Sequence, residues 1–252
     1  MKGLDLFKTR FAAFADQYVL IGGAACTVAM QNVGIDFRAT KDLDIVLCVE
    51  VLDADFAKAL WQFVRDGEYE IREKASGGKQ LYRFTKPKTE GFPFMLELFA
   101  RAPDVLALAA DSELTPIPFN DEASSLSAIL LDEHYYQFLQ EGKREVDGLQ
   151  IVGPEHLIAL KARAWLDLTA RKAAGDHVDS KDIRKHKNDV FRLFAIVDPD
   201  FTGSVPDQVK SDLASFLEQM QDETLDLKSL GLGSETLESV ADAMRTIYGL
   251  ET

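Results

Sequence analysis

Hydrophobic positions along the chain follow two rhythms, and the change between them predicts its elements. The opening stretch MKGLDLFKTRFAAFADQ alternates apolar with charged residues at helical spacing and predicts an amphipathic helix. Tyr18-Val19-Leu20-Ile21 is a short continuous apolar run that stops at Gly22-Gly23, the pattern of a buried strand ending in a turn. Ala24 to Gln31 reads as a helix of small apolar residues. Leu43 to Val49 predicts a second strand, entered through the polar segment Arg38-Ala39-Thr40-Lys41-Asp42. From Asp53 to Arg65, Phe56, Leu60, Phe63 and Val64 share one helical face. Strands follow at Tyr69 to Lys74 and Gln80 to Thr85, joined by a Ser76-Gly77-Gly78 hairpin turn, and again at Phe94 to Phe99.

Beyond residue 100 the pattern loosens. Leu114 to Gly148 reads as strand-like pieces with an aromatic cluster, Tyr135, Tyr136 and Phe138. Pro154, well suited to a first helical turn, opens a helix from about His156 to Lys172. A polar linker, Gly175 to Ser180, precedes a charged helix from Lys181 to Val197, and the remainder after Asp198-Pro199-Asp200 reads as helical and amphipathic. The expected architecture is α/β (α+β): a mixed sheet with flanking helices in residues 1–150, and a helical domain in residues 151–252.

Composition narrows the function classes. A formal charge of −14 repels long nucleic acid, so gripping it is a poor candidate for the main task, although a local basic patch can still serve an RNA acceptor. No apolar run approaches the roughly 18 residues that span a bilayer, and the opening helix has no signal-peptide core. Two cysteines, Cys26 and Cys48, show no metal or redox spacing, and they point to the reducing cytoplasm. The four histidines likewise show no metal-ligand spacing. Ser76-Gly77-Gly78-Lys79 lacks the spacing of a P-loop and lies between two strands.

The chemistry is concentrated in two short segments. Asp42 and Asp44 stand two apart at the mouth of a strand, so their carboxylates share one face. Like charges so placed call for a cation, and Mg²⁺ commonly shares such carboxylates with substrate phosphates. Upstream, Gly22-Gly23 closes a strand and starts a helix, where bare backbone and free N–H groups suit a phosphate. A phosphate cradle followed about 20 residues later by metal carboxylates describes a nucleoside triphosphate site.

Ile21-Gly22-Gly23 followed by Arg38-Ala39-Thr40-Lys41-Asp42-Leu43-Asp44-Ile45 resembles the signature of the nucleotidyltransferase superfamily, whose fold is that of DNA polymerase beta. Its R-x-T-x-D-x-D form is most similar to the AbiEii/MNT-like bacterial branch, which includes toxin components of abortive-infection and toxin–antitoxin systems. Leu157-Ile158-Ala159-Leu160-Lys161 and the segment Ser180 to Asp189 resemble the K…KD…D helical motifs of that branch. The resemblance spans roughly residues 18 to 195. It implies a Mg²⁺-dependent transfer of NMP from an NTP to an acceptor hydroxyl on RNA, protein or a small molecule, with release of pyrophosphate. Two Mg²⁺ ions would be held by Asp42, Asp44 and a third carboxylate, Glu97, which could also act as the local base. Gly22 and Gly23 would hold the β,γ-phosphates and Thr40 would add a hydroxyl contact. Arg38 and Lys161 would clamp the triphosphate, with Asp182, Lys185 and Asp189 orienting Lys161 or the acceptor. The expected site is a cleft between the two domains, and an antitoxin protein is the partner the branch implies. Two rival readings stay open: a binding or regulatory protein that keeps the fold without catalysis, and metal-assisted phosphodiester hydrolysis.

Overall fold

A computed structural model describes residues 1–48, 50–71, 80–100, 129 and 132–250. The protein is mixed α/β. Among the described residues, seven strands form one mixed sheet: β1 (Tyr18–Leu20), β2 (Asp42–Leu47), β3 (Glu70–Ile71), β4 (Gln80–Thr85), β5 (Met95–Ala100), β6 (Lys143–Val146) and β7 (Leu149–Val152). Their order is β3-β4-β5-β2-β1-β7-β6. β2 runs parallel to β5 and β1 parallel to β7, whereas β1–β2, β3–β4, β4–β5 and β6–β7 are antiparallel. Two compact units result. Of the described residues, 1–100 and 143–152 make the sheet unit, and 129, 132–142 and 153–250 make the helical unit.

In the sheet unit, register assigns each side chain to a face. Tyr18 and Leu20 lie opposite Leu47 and Ile45. Leu43 and Ile45 lie opposite Leu96 and Leu98, and Leu96 lies opposite Phe84. Helices α1 (Leu4–Phe11) and α3 (Ala54–Asp66) cover this apolar face. Phe7 meets Tyr18 edge-on at 5.2 Å, Phe11 meets Phe63 at 5.5 Å, and Trp61 meets Phe84 at 5.7 Å. Each such ring, buried, stabilises by about 1.5–3 kcal/mol. Helix α2 (Gly22–Asn32) is made of small residues and is buried from Gly22 to Met30, which explains its weak amphipathic pattern.

Helix α3 starts where Asp53 accepts hydrogen bonds from the N–H groups of Asp55 and Phe56. Gln17 holds the same residue, its Nε2 donating to Asp53 Oδ2 and its Oε1 accepting from Asp53 N–H, both at 3.0 Å. The Phe56 amide, then Gln17 and the Asp55 amide, lower the Asp53 pKa below the usual carboxylate value against a smaller desolvation cost. A depressed folded-state pKa gives stability that is present above the unfolded value and lost as pH falls through the folded one. Asp53→Asn is therefore expected to lower the melting temperature at neutral pH, and the gap to wild type should narrow below about pH 4. A gap that stays constant from pH 7 to pH 3 would show that the charge plays no part.

The helical unit holds α4 (Glu133–Glu141), α5 (Pro154–Ala173), α6 (Ser180–Phe194), α7 (Asp207–Met220) and α8 (Leu237–Tyr248). The aromatic cluster, in a segment expected to hold strand-like pieces, sits on α4. Asp132 caps its start by accepting from the N–H groups of His134 and Tyr135, and the spacing of Tyr135, Tyr136, Phe138 and Leu139 puts all four in the interior. The Ser76-Gly77-Gly78 turn and most of the stretch from Leu114 to residue 131 lie outside the described residues. One set of buried polar groups of this unit is satisfied between helices. Asp212 accepts from the Tyr135 hydroxyl at 2.8 Å and from Arg163 at 3.0 Å, and burial beside that carboxylate pushes the Tyr135 phenol well above its usual pKa. Among the described residues no helix is long and apolar enough to cross a membrane.

Candidate active site

Side chains alternate across a sheet, so those between the apolar positions of β2, β5 and β4 share the face opposite α1 and α3. Asp44 lies opposite Glu97, and Glu97 lies opposite Arg83. One step along, Asp42 lies opposite Met95, and Met95 opposite Thr85. Two rows thus cross three strands, the wholly charged Asp44–Glu97–Arg83 and the mixed Asp42–Met95–Thr85. Asp44 is 7% exposed and Glu97 5%, while Asp42 at the strand mouth is half-buried. Carboxylates so far from water need positive charge or hydrogen-bond donors beside them.

The Gly22-Gly23 turn meets this face directly. Ile21 N–H donates to the Asp44 carbonyl at 3.0 Å and ties the end of β1 to β2. Gly22 has φ +61°, a left-handed conformation that favours glycine. A Cβ at Gly22 would overlap the Asp44 carboxylate, lying 2.7 Å from its Cγ, and one at Gly23 would lie 3.0 Å from the Thr40 Cβ. Two glycines are needed because helix α2 begins in contact with the side chains of Asp44 and Thr40. The structure thereby brings together Gly22, Gly23, Thr40, Asp42, Asp44 and Glu97. Arg38, half-buried, lies four residues before Asp42 with its guanidinium 5.0 Å over the Phe37 ring.

Glu97 has a partner that the sequence reading does not contain. Arg83 places Nε 2.6 Å and Nη2 2.5 Å from Glu97 Oε1. Both bonds fall on one oxygen, and Oε2 is left to a further partner. Among the described residues no three His, Cys, Asp or Glu side chains come together as a metal-holding group. The residues present fit a cation shared between Asp42, Asp44 and substrate phosphates, the usual arrangement for Mg²⁺ at a nucleotide. Glu97 is engaged by Arg83 through one of its oxygens. Thr85 on the same face is also absent from the sequence reading. Its Oγ1 is buried without a hydrogen-bond partner. Arg83 and Thr85 do alternate along β4, but only the antiparallel register shows which face they join.

Lys161 belongs to the helical unit and is not the solvent-facing lysine usual on an amphipathic helix. It is 1% exposed, and its Nζ lies 3.2 Å from Oδ2 of Asp189, itself fully buried. Arg192 stands 3.5 Å from the other Asp189 oxygen. Of the residues expected around Lys161, Asp189 touches it, Asp182 is exposed and Lys185 is half-buried.

No protein-family model matches the chain, and no curated protein matches it in sequence. Among solved structures, it is similar to an antigenic nucleotidyltransferase-like protein from Paracoccidioides brasiliensis, with 16% identity and a TM-score of 0.45 over 96% of this chain and 94% of that one. It is also similar to JHP933 from Helicobacter pylori, with 15% identity and a TM-score of 0.37 over 98% of this chain and 92% of that one. Likenesses this distant leave the site to stand on its own residues.

Proposed function

We propose that this protein is a nucleotidyltransferase of the AbiEii/MNT-like kind, which moves an NMP from an NTP to an acceptor hydroxyl. The observation that carries the reading is the contact between Gly22 and Asp44. It sets a helix start stripped of side chains against a strand carboxylate, so phosphate and cation sites adjoin. Gly22 and Gly23 would present backbone N–H groups to the β,γ-phosphates, with the Thr40 hydroxyl beside them. Asp42 and Asp44 would hold Mg²⁺, which when bound polarises the α-phosphate and offsets charge on the leaving group. Arg38 would steady the triphosphate. The acceptor oxygen bonds to the α-phosphorus as the bond to the bridging oxygen of the β-phosphate breaks. That electron pair leaves with pyrophosphate, and the hydroxyl proton passes to Glu97. The acceptor is RNA, protein or a small molecule, and an antitoxin is the partner that a toxin role would require.

Incubation of each α-³²P-labelled NTP and Mg²⁺ with total tRNA and with total cell protein tests this reading. Label is expected with the wild type and absent with Asp42→Ala/Asp44→Ala. The engagement of Glu97 by Arg83 favours a second reading, a protein that binds nucleotide without transferring it. Tight NTP binding with no label in RNA, protein or a small-molecule pool would select that second reading. No label together with no NTP binding would exclude both.

A further inference from the structure

Helix α6 carries positive charge that the transfer chemistry leaves unused. Five of its fifteen residues are Lys or Arg against two Asp, in a chain whose formal charge is −14. Lys181, Arg184, Lys185, Asn188 and Arg192 stand at i, i+3, i+4, i+7 and i+11, so they form one narrow stripe along the helix. We propose that this stripe is a docking surface for the phosphodiester backbone of RNA. RNA binding rests on α6 alone, and the identity of that RNA as the acceptor rests on the transferase reading.

Three observations carry it. The first is where the charges point. Lys187 and Asp189 are buried and engaged inward, with Glu223 and with Lys161. Lys181 and Arg184 are exposed and Lys185 is half-buried, and none of the three has a carboxylate partner among the described residues. Arg192, with its side chain 24% exposed, is shared with Asp189. Of the nearby acids, Asp179 caps the helix by accepting from the Lys181 N–H, and Asp182 lies about 100° around from Lys181. Secondly, the stripe holds no apolar residue. A protein interface draws on apolar and aromatic anchors at its centre, and a membrane takes an inserted apolar face. A phosphate backbone asks only for cations and donors, with Arg184 able to fork onto its oxygens and Asn188 to donate to them. Thirdly, the lengths agree. Lys181 to Arg192 spans about 16 Å of helix, which matches about five phosphates of one strand. The acidic remainder of the chain does not forbid the contact, because charges beyond about 8 Å are largely screened at physiological salt.

Fluorescein-labelled bulk tRNA, titrated with the full chain without NTP and followed by anisotropy, tests the surface. Four phosphate contacts predict that affinity falls about 50- to 150-fold between about 50 and 200 mM KCl. Lys181→Gln/Arg184→Gln/Lys185→Gln is expected to weaken binding by more than about ten-fold and to remove most of that salt dependence. Lys2→Gln/Lys58→Gln/Lys228→Gln changes net charge equally at exposed positions elsewhere and should bind as the wild type does. On the wild type itself, tRNA should protect Lys181 and Lys185, but not Lys228, from acetylation, read by mass spectrometry. No tRNA binding, salt-independent binding, equal losses in the two variants, or no protection would each overturn the proposal. Competition by poly-L-glutamate as strong as by unlabelled tRNA would overturn it in favour of an acidic protein partner. NTP binding, measured separately, keeps the two readings apart. NTP bound without tRNA leaves the transferase with a protein or small acceptor, whereas tRNA bound without NTP leaves the docking surface and counts against the transferase.

Discussion

Asp189→Ala is expected to destabilise the protein by about 3–5 kcal/mol, because it leaves the ammonium of Lys161 buried with its nearest counter-charge removed. Lys161 is 1% exposed and Asp189 0%, so water cannot take over the role of the missing partner. Arg192 at 3.5 Å would lose the same carboxylate. The measurement is urea unfolding followed by circular dichroism, with Lys161→Met/Asp189→Leu as the companion variant. Removing both charges and refilling the space with apolar groups is expected to cost much less than the single change, since a buried pair can be replaced with little net loss. A single-variant cost under about 1 kcal/mol, the range of exposed ion pairs, would show that the pair is hydrated in solution.

Gly22→Ala is expected to abolish nucleotide binding and to lower stability. Two effects add at this position. A left-handed backbone costs a non-glycine residue roughly 1–2 kcal/mol, and the new methyl group would also overlap the Asp44 carboxylate. Gly34→Ala separates the two, because Gly34 has φ +76° and open space where its Cβ would stand. The control should show the backbone cost alone with nucleotide affinity unchanged. Equal loss of affinity in both variants would mean that the Gly22–Asp44 contact has no special part in binding.

Much of the candidate site was legible because it rests on local periodicity. The two-residue period of a strand puts Asp42 and Asp44 on one side whatever their surroundings, and a Gly-Gly pair between an apolar run and a helix marks a turn. What could not be read was everything set by register. Arg83 and Glu97 are fourteen residues apart and meet only because β4 and β5 pair with Arg83 opposite Glu97. A slip of one residue would have sent Arg83 to the apolar face. Tyr and Phe favour strands in isolation, so the aromatic residues of α4 carry no local helix signal, and the Asp132 cap and burial of one helical face decide for a helix.

Lys161 shows the same boundary from the helical side. Its place on an amphipathic pattern says nothing of whether a carboxylate from another helix waits in the interior, and burial with Asp189 is a property of how α5 and α6 pack. The sequence by itself determined the mixed α/β class, most of the elements and the shared face of Asp42 and Asp44, since these follow from steric and hydrophobic rules acting over a few residues. Only the tertiary structure decided that Gly22 presses on Asp44, that Glu97, expected near Asp42 and Asp44, lies directly opposite Asp44, and that Arg83 engages it. Those depend on strand order and register, which are settled by the burial of whole faces rather than by any local signal.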